Sequence, residues 1–283
     1  MKVQIPEDDP DLLAQKIYNK IYKFELKKES EAHKKGNTYT FDPFNSGIDH
    51  FIKDKTFAEE LRNTLKIQRQ KKQEEIKQKA VSQGAFVYHI SNLPPEKIEN
   101  GALRPRKQPD HFRDRGNLNA VFALSDKNCA MSLKLGKGVS TLVRKTSQSQ
   151  KRTVIVSDKD KFFAFKSQHP YSYQYKFPAE LFEPNVGYNG EFSGEWYALD
   201  KCVEIDPKNC TRKSVDEVVA TDADLYFVAK GQSFHAVCAA LQSKEKDVEQ
   251  LVKSGALLPY KQGDLKKAPR PFQALTDLCK NSR

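Results

Sequence analysis

The chain of 283 residues contains one tryptophan, two methionines and five cysteines. No run approaches the ~18 apolar residues that a membrane-spanning helix requires. The cysteines, at 129, 202, 210, 238 and 279, are odd in number, widely spaced and without a Cys-x-x-Cys pair. Neither a disulfide framework nor a zinc knuckle is indicated, and a reducing compartment is expected. The first ten residues have no apolar stretch and carry Glu7, Asp8 and Asp9, so export by the general secretory route is not expected. No Gly-x-Gly-x-x-Gly follows an apolar strand, which leaves a Rossmann or P-loop phosphate site unsupported. His111, His169 and His235 have no partners at ligand spacing, and no metal is assigned.

What the chain does have is charge and enough apolar residues to build cores. Lys and Arg number 48 against 37 Asp and Glu, a formal charge of +11, while 38% hydrophobic residues exceed what a disordered chain carries. Residues 1–83 read as basic and helical. Asp9 and Pro10 form a helix start, and Leu13, Ile17, Ile21 and Phe24 recur at helical spacing. A break at Lys34, Lys35, Gly36 and Asn37 follows, then a second apolar stripe of Phe57, Leu61 and Leu65. The polar run that begins at Arg69 reads as a solvated helix face, with an anionic partner such as nucleic acid as the alternative.

Residues 84–230 change character. Short runs rich in Val, Ile, Phe and Tyr, separated by Gly, Pro, Asn and Asp, predict strands at 86–90, 120–124, 153–156, 162–165, 171–177, 196–199 and 225–229. Residues 95–100 and 126–135 read as helical. Strands concentrated in one block with helices around them predict an α+β domain. Tyr171, Tyr173, Tyr175 and Phe177 alternate strictly and read as a packed sheet face. In residues 231–283, Ala236, Ala239, Ala240 and Leu241, then Val248, Leu251 and Val252 before Gly255, describe two short helices. They resemble one ankyrin-type repeat without its Thr-Pro-Leu-His signature.

Three pieces of the middle block carry chemistry. Tyr88, His89, Ile90 and Ser91 end a strand and lead through a short helical stretch to Gly101, Ala102, Leu103 and Arg104. This segment resembles the first motif of the ADP-ribosyltransferase superfamily, in its diphtheria-toxin-like and poly(ADP-ribose) polymerase-like branch. The strand ending in Phe122, Ala123 and Leu124 is similar to the second motif, with Phe where the branch more often has Tyr. The third piece, Gly194, Glu195, Trp196, Tyr197, Ala198, Leu199 and Asp200, looks like the glutamate strand of that branch. Glu191 competes with Glu195 for the carboxylate role, and Glu195 is favoured.

The resemblance implies an α+β fold, an ADP-ribosyltransferase-like split β-sheet core over 84–230 flanked by helical regions at 1–83 and 231–283. It implies NAD as substrate, with Glu195, His89 and Phe122 as the catalytic set and Tyr88, His89, Ser91, Arg104, Phe122 and Tyr197 around the dinucleotide. Glu195 would stabilise positive charge on the ribose, His89 and Ser91 would bind the adenosine ribose, and Phe122 with Tyr88 or Tyr197 would hold nicotinamide between rings. The basic loop of residues 104–116 suits a pyrophosphate, Arg104 ranking above Arg106, Arg113 and Arg115. The expected partner is a protein acceptor, with bacterial effectors and toxins that modify host proteins as the nearest analogy. This implies a cytosolic fold, delivered into a host cytoplasm by a route other than general secretion, and no membrane partner. An NAD glycohydrolase toxin, or a non-catalytic basic module binding nucleic acid or an acidic protein, are the alternatives.

Overall fold

The computed structural model describes residues 10–34, 37–109, 117–133, 139–145, 151–242 and 247–267. Asp9, Cys279 and the part of the basic loop holding His111, Arg113 and Arg115 lie outside the described residues. Helices α1 (Pro10–Lys34), α2 (Ile48–Phe51) and α3 (Lys55–Ser82) come first. Strands β1 (Phe86–Ser91), β2 (Ala102–Leu103), β3 (Arg106–Pro109), β4 (Asn117–Leu124), β5 (Thr141–Lys145) and β6 (Arg152–Val156) follow. Helix α4 (Lys159–Gln168) leads to β7 (Tyr171–Pro178), β8 (Glu183–Val186), β9 (Phe192–Leu199), β10 (Val203–Glu204) and β11 (Cys210–Ser214). The chain continues through α5 (Val215–Thr221), β12 (Ala223–Val228), α6 (Phe234–Gln242), α7 (Val248–Lys253), β13 (Leu257–Pro259) and α8 (Asp264–Lys267). The protein is thus mixed α and β with several sheets.

Contacts group the chain into two units that interleave along the sequence. One comprises residues 1–89, 99–126 and 176–205, the other residues 90–98, 127–175 and 206–283. The N-terminal helices therefore belong to one unit with strands of the middle block. Ala14, Tyr18 and Ile21 of α1 pack against Ala58, Leu61 and Leu65 of α3, with Phe44 and Ile48 between them. Of the expected stripe, Ile21 is buried and Ile17 packs against this core, whereas Leu13 is 52% exposed and Ala14 and Tyr18 are buried beside it. Helix α3 starts at Asp54, whose carboxylate accepts from the backbone N–H groups of Thr56 and Phe57.

In this first unit β4 lies between β1 and β9, β8 pairs with the far side of β9, and β3 pairs with β4. Strand β8 was not expected, since Pro184 argues against a strand interior. It forms an edge, and α3 covers that edge with polar side chains. Arg69 Nε donates to the Val186 carbonyl at 2.7 Å and Gln73 Nε2 to the Pro184 carbonyl at 2.8 Å, while Lys77 pairs with Glu183. Residues 69, 73 and 77 recur every fourth position, so one face of α3 carries all three. Part of the run read as a solvated face is therefore a polar clamp on the sheet.

The second unit is built on a four-stranded sheet, β13-β12-β6-β5, in which β6 and β12 run parallel. Val154, Val156, Leu225, Phe227 and Phe162 form one core, and α6 and α7 bury Val237, Leu241 and Leu251 against Ile155, Val228 and Leu257 in another. The helix pair thus returns a strand to a sheet that covers its apolar side. Residues 162–165, expected as strand, lie in α4, which Asp158 caps through the Lys161 N–H. The stretches expected as helix at 95–100 and 126–135 hold short 3₁₀ turns. On β7, Tyr175 and Phe177 are buried but Tyr171 is exposed, its ring carrying the Arg212 guanidinium 4.4 Å from its centroid. Only half of the alternating aromatic row is packed inside. Among the described residues no helix is long and apolar enough to cross a membrane.

Lys166 on α4 is completely buried, its Nζ donating to Asn92 Oδ1 at 2.6 Å and to the Ser132 carbonyl at 2.9 Å. Desolvation pushes its pKa down from 10.5 to about 8. Below pH 8 the amine is charged in both folded and unfolded chains and the burial cost is fully present. Between pH 8 and 10.5 the unfolded chain binds the extra proton, so stability rises with pH across that window. A fall from 10.5 to about 8 corresponds to about 3 kcal/mol. Urea denaturation at pH 7.5 and 10.5 is expected to show wild type gaining stability over this range relative to Lys166→Met; equal pH dependence in the two proteins would contradict it.

Candidate active site

His89, Phe122 and Glu195 are 33 and 73 residues apart in the chain and lie on three neighbouring strands, β1, β4 and β9. Tyr88 pairs with Leu124, Leu124 with Glu195, and Phe122 with Tyr197. Paired residues of antiparallel strands share a face, and so do residues two apart. Tyr88, Phe122, Leu124, Glu195 and Tyr197 therefore share one face, with Phe122 and Glu195 as diagonal neighbours about 7 Å apart. Tyr88, Phe122, Leu124 and Glu195 are half-buried, whereas Val121, Ala123, Trp196 and Ala198, which alternate with them, are buried. Tyr197, on the same face as Glu195, is buried as well, so that face is half-open only around Tyr88, Phe122, Leu124 and Glu195.

His89 follows Tyr88, so Tyr88 and not His89 stands in the row of Glu195. By the same alternation His89 stands on the opposite face, with Val87, and its Nδ1 lies 2.7 Å from the backbone carbonyl of Phe122. A carbonyl only accepts, so Nδ1 carries the hydrogen and the lone pair of the neutral ring sits on Nε2. Desolvation lowers the imidazole pKa below 6.5, the bond to Phe122 opposes this, and the nearby charge of Arg106 adds to the lowering. The ring is neutral at pH 7, with Nε2 as its acceptor.

Glu195 is held from several sides. Its Oε2 accepts from Asn185 Nδ2 at 2.8 Å, and its backbone N–H donates to Ser193 Oγ at 3.1 Å. Gly194 before it has φ +80°, a backbone that side chains disfavour, and its carbonyl accepts from the Ser125 N–H at 2.8 Å. Trp196 Nε1 in turn donates to Ser125 Oγ at 2.8 Å, which ties the start of β9 to the end of β4. Glu191 lies before β9, exposed in the β8–β9 turn, with its carboxylate accepting from Asn189 Nδ2 at 2.9 Å.

Tyr197 shares the face of Phe122 but is only 6% exposed, and its hydroxyl accepts from Gln73 Nε2 at 3.0 Å and Arg69 at 3.3 Å. It braces β9 against α3 and does not offer an open ring. Arg104 is exposed and pairs with Glu99 at 3.3 Å. Ser91, in the second unit, accepts from the Leu93 N–H at 3.0 Å and so closes a local turn.

Asn185 and the α3 clamp were not anticipated from sequence. Asn185 follows Pro184 in a segment that reads as loop, so nothing marked it as a partner of the carboxylate. The four-residue spacing of Arg69, Gln73 and Lys77 was the available signal for the clamp. Comparison with known proteins finds no protein family that matches the chain, and no curated protein or solved structure that matches it.

Proposed function

We propose that the chain is an NAD-dependent ADP-ribosyltransferase of the histidine-aromatic-glutamate branch, built on the split-sheet core its motifs imply, with a protein as acceptor. The observation that carries this reading is that an aromatic ring and a carboxylate, far apart in the chain, share one face of adjacent strands, with a neutral imidazole bonded to the backbone of the aromatic residue.

The chemistry follows from the bond to be broken. When the bond from ribose C1′ to the nicotinamide nitrogen breaks, its electron pair leaves with nicotinamide and the ribose ring becomes oxocarbenium-like. A carboxylate beside that ring stabilises the growing positive charge, and Glu195 is the carboxylate on the half-open face. Its oxygen accepts from the ribose 2′-hydroxyl, a contact that strengthens as charge develops. Phe122 offers the ring on which nicotinamide stacks. Nε2 of His89 accepts from a hydroxyl of the adenosine ribose, which its tautomer suits. The acceptor's nucleophile then bonds to C1′ and loses its proton. Water in that position makes the same site a glycohydrolase. The binding-module reading is weakened by α3, where Arg69, Gln73 and Lys77 hold the sheet edge.

Incubation with NAD is expected to release nicotinamide and to raise the melting temperature. His89→Leu is expected to raise KM for NAD about tenfold, the loss of roughly one hydrogen bond worth ~1.4 kcal/mol, with a smaller change in kcat. KM in wild type rises as pH falls through the lowered pKa of His89, because a protonated ring has no acceptor left. A KM flat in pH and unmoved by His89→Leu would remove His89 from the site.

A further inference from the structure

Asn185 is completely buried, a costly position for a carboxamide that is tolerated when its polar atoms are bonded. It sits on the edge strand β8, where the pairing with β9 shifts register between Pro184 and Val186. Its side chain donates to Glu195 Oε2 at 2.8 Å, and its backbone carbonyl accepts from Ser193 Oγ at 3.2 Å. Ser193 Oγ also accepts from the Glu195 N–H at 3.1 Å. Side chain and backbone of Glu195 are thereby both tied to one residue of the neighbouring strand, and the irregular register gives Asn185 that reach.

The Asn185 amide is neutral, unlike the ammonium or guanidinium of an ion pair. A lysine or arginine in its place would cancel the negative charge that an oxocarbenium-like ribose requires. An amide N–H fixes the carboxylate's direction and favours its ionised form while leaving its charge in place. We propose that Asn185 is the positioning residue of the candidate active site, aiming the Glu195 carboxylate through the Asn185 amide and the Ser193 bridge. This assignment rests on Glu195 acting on NAD as described above.

The test uses the full chain, NAD as probe and nicotinamide release as readout, in wild type, Glu195→Gln, Asn185→Leu, Asn185→Asp and Asn185→Leu combined with Glu195→Gln. Asn185→Leu is expected to lower kcat by about 10- to 100-fold with little change in KM, the range typical when a supporting hydrogen bond to a functional side chain is lost. It is expected to lower kcat no further in the Glu195→Gln background, because the two residues act through one group. Asn185→Asp puts a second carboxylate against Glu195, so the pair shares a proton and the acid limb of the pH–rate profile moves to higher pH. That variant keeps the shape of the side chain and remains informative if the leucine variant does not fold. Wild-type kcat and pH profile in both Asn185 variants, with Glu195→Gln inactive, overturns the role of Asn185 and leaves that of Glu195 intact. An equal loss of kcat in the wild-type and Glu195→Gln backgrounds reveals a merely structural residue and also overturns it. Wild type and Glu195→Gln releasing nicotinamide equally, or not at all, overturns the enzyme reading and this assignment with it.

Discussion

Glu195→Gln is expected to lower the kcat for nicotinamide release by about 10²- to 10³-fold, the size of effect produced by removing one preorganised electrostatic group from a transition state. The substitution keeps shape and volume and removes the charge. Ground-state NAD carries no full positive charge on its ribose, so affinity for NAD is expected to stay within about threefold of wild type. The split between kcat and KM separates this role from simple binding, which would raise KM and spare kcat. The fold gives Glu195 the rigidity this role demands. Gly194 turns the chain at φ +80°, Ser125 fastens the strand start to β4, and Asn185 holds one carboxylate oxygen. Glu191, exposed in the turn four residues earlier, has none of these strand contacts, and Glu191→Gln is the internal control with turnover near wild type.

Phe162→Ala is expected to destabilise the second unit by about 3–5 kcal/mol, the cost of a large core truncation and the cavity it leaves. Phe162 is fully buried on α4, with its ring centroid 5.3 Å from that of Phe227 and 5.9 Å from that of Phe163, both edge-on. Val154, Val156 and Leu225 belong to the same cluster, so the ring links the helix to the central parallel pair of the sheet. Urea denaturation followed by circular dichroism measures the loss. A change below about 1 kcal/mol would mean that the site collapses around the missing ring, contrary to the tight packing described.

The same phenylalanine shows where sequence reasoning reaches its limit. Phe162, Phe163, Ala164 and Phe165 form a short apolar run, and periodicity alone does not tell a buried strand from a buried helix segment. The deciding signal was Asp158, which caps the helix from four residues upstream of Phe162. Strands β1, β4, β6, β7, β9 and β12 were legible because their apolar residues lie between turn formers. Strand β8 was not, because Pro184 and Asn185 argue for a loop and the strand persists as an edge sealed by α3. In α1 the apolar stripe was legible in Ile17 and Ile21, while at its first turn Ala14 packs inside and the larger Leu13 stays exposed.

For the site, the residue types and their order were readable from sequence, whereas their support was not. Nothing local to Glu195 announces Asn185, because the two meet only through strand pairing. Nothing local to His89 announces that its Nδ1 is held by Phe122, which is contributed by another strand. Tyr197 was legible as an aromatic of the glutamate strand, but its hydroxyl is claimed by Gln73 and Arg69, residues more than a hundred positions away. Long-range partners of this kind depend on topology, which a single sequence pattern does not encode.

A crystal structure with a non-hydrolysable NAD analogue is the most direct check. The expected result has the adenosine ribose within hydrogen-bond reach of His89 Nε2, the nicotinamide ring on Phe122 and the other ribose 2′-hydroxyl against the Glu195 carboxylate. A dinucleotide bound elsewhere on the protein, or none at saturating concentration, would contradict it.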